Sequence, residues 1–167
     1  MMNFESALKA LAEGGVNFVI IGGFAMVVYG SAQVTRDLDI CYERSPENLK
    51  RLAATLNVYH PRLRGAPEGL SFTLDERMLA QGMNFTLQTD LGDIDLIGDL
   101  AGLGGFNNLA GDAVLLVIYG GCYRVASLEA LIRSKRAAGR PKDLNSLPEL
   151  EALKELHDTQ TKGKAKK

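Results

Sequence analysis

The sequence is poor in the two residue types that build most transition-metal centres. It holds two histidines, His60 and His157, and two cysteines, Cys41 and Cys122. Histidines that far apart do not make a zinc ligand set, and the cysteines lack the short spacings of a metal knuckle. They read as free thiols of a reducing compartment. With no signal peptide in the sequence, a cytoplasmic location is expected. Excess charge is also missing: 19 Lys+Arg stand against 20 Asp+Glu, so the whole molecule has no electrostatic pull toward nucleic acid. Long apolar runs are absent too. The longest, Phe18 to Tyr29, is interrupted by Gly22 and Gly23 and is too short to span a bilayer, so no membrane partner is expected. Neither G-x-G-x-x-G nor a P-loop ending in Gly-Lys-Ser/Thr occurs, which removes the two commonest glycine-rich phosphate loops.

What remains is ordinary globular composition, 46% hydrophobic and 23% charged, enough for one domain with a helical appendage. Phe4, Ala7, Leu8 and Leu11 recur at helical spacing behind a capping Asn3. A buried strand follows over Val16 to Ile21, then the Gly22-Gly23 turn, a short helix over Phe24 to Tyr29, and a second strand over Leu38 to Tyr42. Ser45-Pro46-Glu47 starts a third helix. Residues 59–82 are broken by Pro61, Gly65, Pro67 and Gly69, with a short helix around Leu74 to Leu79. Two hairpins are expected, Asn84–Thr89 with Asp93–Ile97, and Val114–Tyr119 with Cys122–Ala126. A helix from Ser127 to about Ala138 and a last one over Lys142 to Leu156 close the domain, the last disturbed by Pro148. This order predicts an α+β fold: a mixed sheet with helices packed on it and a C-terminal helical segment, not a doubly wound parallel sheet. The expected organisation is a core over 1–126, packed C-terminal helices over 127–157, and a disordered basic tail over 158–167. That tail reads either as a solvated end or as an element steering RNA.

The chemistry concentrates in carboxylates. Asp37 and Asp39 stand two apart on a strand and therefore share one face. Asp93 and Asp95 repeat the pattern. Like charges on one face repel and cost desolvation energy, which a fold tolerates where cations lie between them. An isolated D-x-D pair usually just begins a surface strand. Two pairs, one following a Gly-Gly strand-to-helix turn, point instead to Mg²⁺ or Mn²⁺ held by hard oxygen ligands. Helix N–H groups opened by Gly22 and Gly23 suit a phosphate. A metal clamp beside a phosphate cradle is equipment for moving a nucleotidyl or phosphoryl group.

The run Gly22-Gly23-Phe24-Ala25-Met26 … Gly30 … Thr35-Arg36-Asp37-Leu38-Asp39-Ile40 resembles the signature of the nucleotidyltransferase superfamily that contains DNA polymerase β. The resemblance implies that Gly22 and Gly23 contact the triphosphate, and that Asp37, Asp39 and Asp95 are the catalytic metal ligands. Asp95 matches better than Asp93 because Ile94 and Leu96 flank it. Further on, Leu131-Ile132 … Lys135 … Gly139-Arg140-Pro141-Lys142-Asp143-Leu144 is similar to the helical segment of small bacterial nucleotidyltransferases, including the abortive-infection toxin group of the AbiEii type. That similarity implies nucleotide-binding roles for Lys135, Lys142 and Asp143. The expected activity is Mg²⁺-dependent (or Mn²⁺-dependent) transfer of an NMP from an NTP to an acceptor hydroxyl on RNA such as tRNA, on a protein, or on a small molecule. A toxin–antitoxin or phage-defence setting with a cognate partner is a further expectation from the resemblance. The alternative is an inactive nucleotide- or partner-binding regulatory module of the same fold. The chain lacks the large helical substrate domain of the bigger toxins, and its second glycine stands where many active members carry serine.

Overall fold

In a computed structural model, residues 1–165 are described. The N-terminal helix α1 (Phe4–Glu13) starts where the Asn3 side chain accepts a hydrogen bond from the Ser6 backbone N–H, and it buries Ala7, Leu8 and Leu11. Strand β1 (Phe18–Ile21) is buried along its whole length. It turns at once into helix α2 (Gly22–Val28), and strand β2 (Asp37–Tyr42) returns antiparallel beside it. Helix α3 (Pro46–Asn57) begins at the Ser45 cap with Pro46 in its first turn, as the sequence predicts.

The middle of the chain differs from expectation in three places. A two-residue strand, β3 (Arg62–Leu63), pairs with β4 (Asn84–Thr89). Two residues carry no readable alternation, so the segment looks like loop. Helix α4 (Glu76–Gln81) starts two residues later than predicted, because Asp75 caps it at the Met78 backbone N–H. Helix α5 (Phe106–Asp112), between β5 (Gly92–Ile97) and β6 (Val114–Ile118), has two asparagines and Gly111 and shows little helix propensity. Strand β7 (Gly121–Val125) completes the second hairpin.

The seven strands form one mixed sheet in the order β3-β4-β5-β2-β1-β7-β6. Two pairings are parallel, β2 with β5 and β1 with β7, and the others are antiparallel. In the middle of the sheet the alternation is strict. Leu38, Ile40, Ile94 and Leu96 are fully buried on one face, while Asp37, Asp39, Asp93 and Asp95 are only partly buried on the other.

The last two helices are α6 (Leu128–Ala138), ended by Gly139 in the left-handed conformation, and α7 (Pro141–Lys164). Helix α7 starts at Pro141, whose missing N–H costs nothing in the first turn. It continues through Pro148, where only the bond to the Leu144 carbonyl is lost, and Leu144 is exposed to water. It also runs on where the sequence suggests disorder from 158. Local bonds line that stretch: Lys154 to Asp158 (3.0 Å), and Thr159 and Thr161 each donating to the carbonyl four residues back. Of the expected basic tail, residues 166–167 lie outside the described residues.

Candidate active site

The parallel register of β2 and β5 sets Asp37 opposite Asp93 and Asp39 opposite Asp95. Because all four sit on one face, the two acidic pairs meet. Asp37, Asp39 and Asp95 each offer a carboxylate oxygen, and these oxygens lie within 4.8 Å of one another. Oxygens on one octahedral Mg²⁺ stand about 2.9 Å apart when adjacent and about 4.2 Å apart when opposite, from metal–oxygen distances near 2.1 Å. The spread of up to 4.8 Å among the three is only slightly wider than that span. The donor set is hard oxygen alone, which fits Mg²⁺ or Mn²⁺ and not a softer ion.

Crowding these carboxylates has an electrostatic cost. The Asp39 carboxyl is pushed up to about 7, first by burial and then by Asp37 and Asp95. The Gly23 backbone N–H and Lys135 pull the other way without prevailing. Asp95 is also raised, mainly by burial, with Arg64 opposing the shift. Thr35 steadies the strand entry: its hydroxyl lies 3.2 Å from the Asp37 carbonyl and 3.3 Å from an Asp37 carboxylate oxygen.

Gly22 is where the β1–α2 turn touches the triad. Its φ is +66°, and a Cβ there would run into the Asp39 side chain, with Cγ at 2.7 Å. A Cβ on Gly23 would stand 2.9 Å from the Thr35 hydroxyl. The glycines therefore let the turn close onto the aspartate strand.

A cleft of about 460 Å³ connects these parts. Gly22, Gly23, Asp37, Asp39 and Asp95 line it from the sheet, and Lys135, Lys142 and Asp143 from the C-terminal helices. Every sequence-predicted site residue thus borders one cavity, and Asp143 is the most buried of them. It is 1% exposed, with Lys135 Nζ at 2.9 Å and Arg140 Nε at 2.5 Å. Burial alone would raise its pKa, but the hydrogen bonds from Arg140 and Lys135 outweigh it and hold the carboxyl below its usual range. Both Asp143 carboxylate oxygens are thus engaged by protein cations. Lys142 is exposed at the mouth of the cleft.

One residue was not foreseen. Arg64, just after β3, extends its guanidinium into the acidic cluster. Nη2 donates to Asp95 Oδ1, Nε lies 3.3 Å from Asp93 Oδ2, and Nη1 lies 4.0 Å from Asp37 Oδ2. Asp93 therefore serves the arginine, while the triad consists of the other three. Nothing in Pro61-Arg62-Leu63-Arg64-Gly65 signals this, because the residue reaches the site only through β3–β4 pairing.

Solved structures of similar fold place this architecture. The lincosamide antibiotic adenylyltransferase LnuA, bound to lincomycin, superposes with a TM-score of 0.58 at 16% identity, covering 91% of this chain and 98% of that one. The fold is that of a nucleotidyltransferase. ANT(2'')-Ia in complex with adenylyl-2''-tobramycin matches at a TM-score of 0.50 and 17% identity, over 92% of this chain and 94% of that one. A candidate nucleotidyltransferase from Thermotoga maritima matches at 0.50 and 16% identity, over 95% and 96%. No protein-family model and no curated protein sequence matches the chain. Among the described residues, no helix is long and apolar enough to cross a membrane.

Proposed function

We infer that this nucleotidyltransferase-fold chain transfers an NMP from an NTP to the hydroxyl of an acceptor molecule, with pyrophosphate as the leaving group. The observation that carries the reading is the convergence of Asp37, Asp39 and Asp95 within 4.8 Å, across two strands and beside the Gly22-Gly23 turn. Asp37, Asp39 and Asp95 would hold Mg²⁺ or Mn²⁺. When bound, such an ion neutralises charge on the transferring phosphoryl group and acidifies the attacking hydroxyl.

The chain's own residues divide the remaining work. Asp95 accepts the acceptor's proton, its carboxyl being raised above the usual carboxylate range mainly by burial. Gly22 and Gly23 let the triphosphate approach the backbone closely. Lys135, held by Asp143, presents an ammonium to the phosphates, and Lys142 adds a second at the cleft mouth. LnuA and ANT(2'')-Ia carry antibiotics or their adenylylated product, which favours a small hydroxylated acceptor here. The expectations of a tRNA or protein acceptor, and of a toxin–antitoxin partner, draw no support from these relatives.

The test is transfer of label from α-³²P NTPs, with Mg²⁺, to a panel of aminoglycosides, lincosamides and other polyols. Labelled product that disappears in Asp39→Asn is expected. Unlabelled acceptors throughout, with NTP hydrolysis no faster than in the variant, would overturn the reading. One observation favours the second reading, a nucleotide-binding module without turnover: Arg64 already occupies the triad. Mg²⁺-dependent NTP binding without product would support that alternative.

A further inference from the structure

We propose that Arg64 is the cation the triad holds before a metal ion arrives, and that divalent-ion binding turns its side chain out of the triad while Asp93 retains it. The proposal rests on the reading of Asp37, Asp39 and Asp95 as a metal site.

The arginine is held tightly enough to matter and poorly enough to leave. A guanidinium pairs best with one carboxylate, through two parallel hydrogen bonds. Here it is spread over three. Of the three carboxylates only Asp95 receives a hydrogen bond from it, from the same Nη2 that also donates to the Leu87 carbonyl at 3.5 Å; Nη1 stands 4.0 Å from Asp37, and Nε is buried without a hydrogen-bond partner although Asp93 lies 3.3 Å away. One positive charge is thus distributed among several negative ones, and Asp39 is not among its partners. A divalent ion brings twice the charge and takes oxygens from every direction. Arg64 and the ion claim the same two carboxylates, Asp95 and Asp37. Two cations that close, in a partly buried site, repel strongly.

The local backbone lets the side chain go without unmaking the sheet. Arg64 itself is anchored by its N–H to the Thr86 carbonyl at 2.9 Å, and β3 keeps its register on β4. Beyond it, Gly65 (φ +78°) and Gly69 (φ +82°) face open space. The movement proposed is a rotation about the Arg64 side-chain bonds, with the backbone left in place. Asp93 stands opposite Asp37 in register but outside the triad, so it can keep an ion pair with the displaced guanidinium. By linkage, if the metal expels Arg64, then Arg64 weakens the metal by the same factor.

The experiment measures Mn²⁺ affinity of the full chain by calorimetry, for wild type, Arg64→Ala and Arg64→Lys. Arg64→Ala is expected to bind Mn²⁺ about tenfold more tightly or better. Arg64→Lys, a point charge that cannot bridge the carboxylates, is expected in between, and it carries the test if the alanine variant does not fold. In parallel, the Arg64 Nε–H resonance, assigned by its loss in Arg64→Lys, is followed by NMR during a Mg²⁺ titration. It should change position and exchange faster with water at saturation. Equal or weaker Mn²⁺ binding in the variants, or an unmoved resonance at saturating Mg²⁺, overturns the proposal. Mn²⁺ binding that is lost in Asp39→Asn yet insensitive to Arg64 overturns this proposal and leaves the metal site standing. No Mn²⁺ binding by any of the proteins overturns both.

Discussion

Replacing Asp39 with asparagine should stabilise the metal-free protein at pH 8, although it removes a residue central to the site. The Asp39 carboxyl titrates near 7 in the folded chain and near 3.8 in a free side chain. Folding therefore favours its protonated form. That contribution is fully present below about pH 4 and is lost as pH rises through about 7, where the buried carboxylate must ionise beside Asp37 and Asp95. The difference between the two titration points sets a ceiling of about 4 kcal/mol. Asp39 is only partly buried, and water screens it, so about 1–2 kcal/mol is the working figure. For a chain of this size that corresponds to about 2–8 °C in Tm. Asparagine keeps the shape and still accepts a hydrogen bond from Gly23, but it carries no charge. In EDTA, thermal unfolding should show Asp39→Asn above wild type at pH 8, with the gap narrower at pH 5 and closed only below about pH 4. With Mg²⁺ at pH 8, wild type alone should gain Tm. An Asp39→Asn variant that is equally destabilised at both pH values in EDTA would refute the electrostatic reasoning.

Three further outcomes follow from the same geometry. Gly22→Ala combines a left-handed backbone with a Cβ driven into Asp39, so it should cost about 2–4 kcal/mol by denaturant titration and abolish Mn²⁺ binding. Asp143→Ala strips the anion from Lys135 and Arg140; a loss of about 3 kcal/mol is expected, with KM for the NTP rising as Lys135 loses its anchor. Of the two thiols, exposed Cys122 should react with Ellman's reagent within minutes, while Cys41, fully buried and pushed up to about 12 chiefly by burial, should react only on unfolding.

The parts of the fold that were readable are those where side-chain periodicity and local turn chemistry agree. The β1–turn–α2–β2 unit is one. The apolar run, the paired glycines and the alternating aspartates each specify a piece of it, and the pieces are consecutive. Strand β5 is another, since Asp93 and Asp95 alternate with Ile94 and Leu96. Its neighbour β2 could be named only conditionally, because a parallel pairing across 50 residues leaves no local mark. Arg64 was out of reach for the same reason. Its strand is two residues long, and what brings it to the triad is a register with β4 rather than any motif. Sequence similarity ranks Asp143 with the nucleotide ligands but carries no sign of its burial or of its ion pairs with Lys135 and Arg140. The length of α7 was misjudged because composition is a weak guide where helix persists on i,i+4 bonds without a buried face.

A crystal of the protein grown with Mn²⁺ and examined by anomalous scattering tests the central claim most directly. A single strong peak among Asp37, Asp39 and Asp95, with oxygens drawn in to about 2.1–2.2 Å, is the result expected. Saturating Mn²⁺ that leaves the space between these three carboxylates without anomalous density would contradict it.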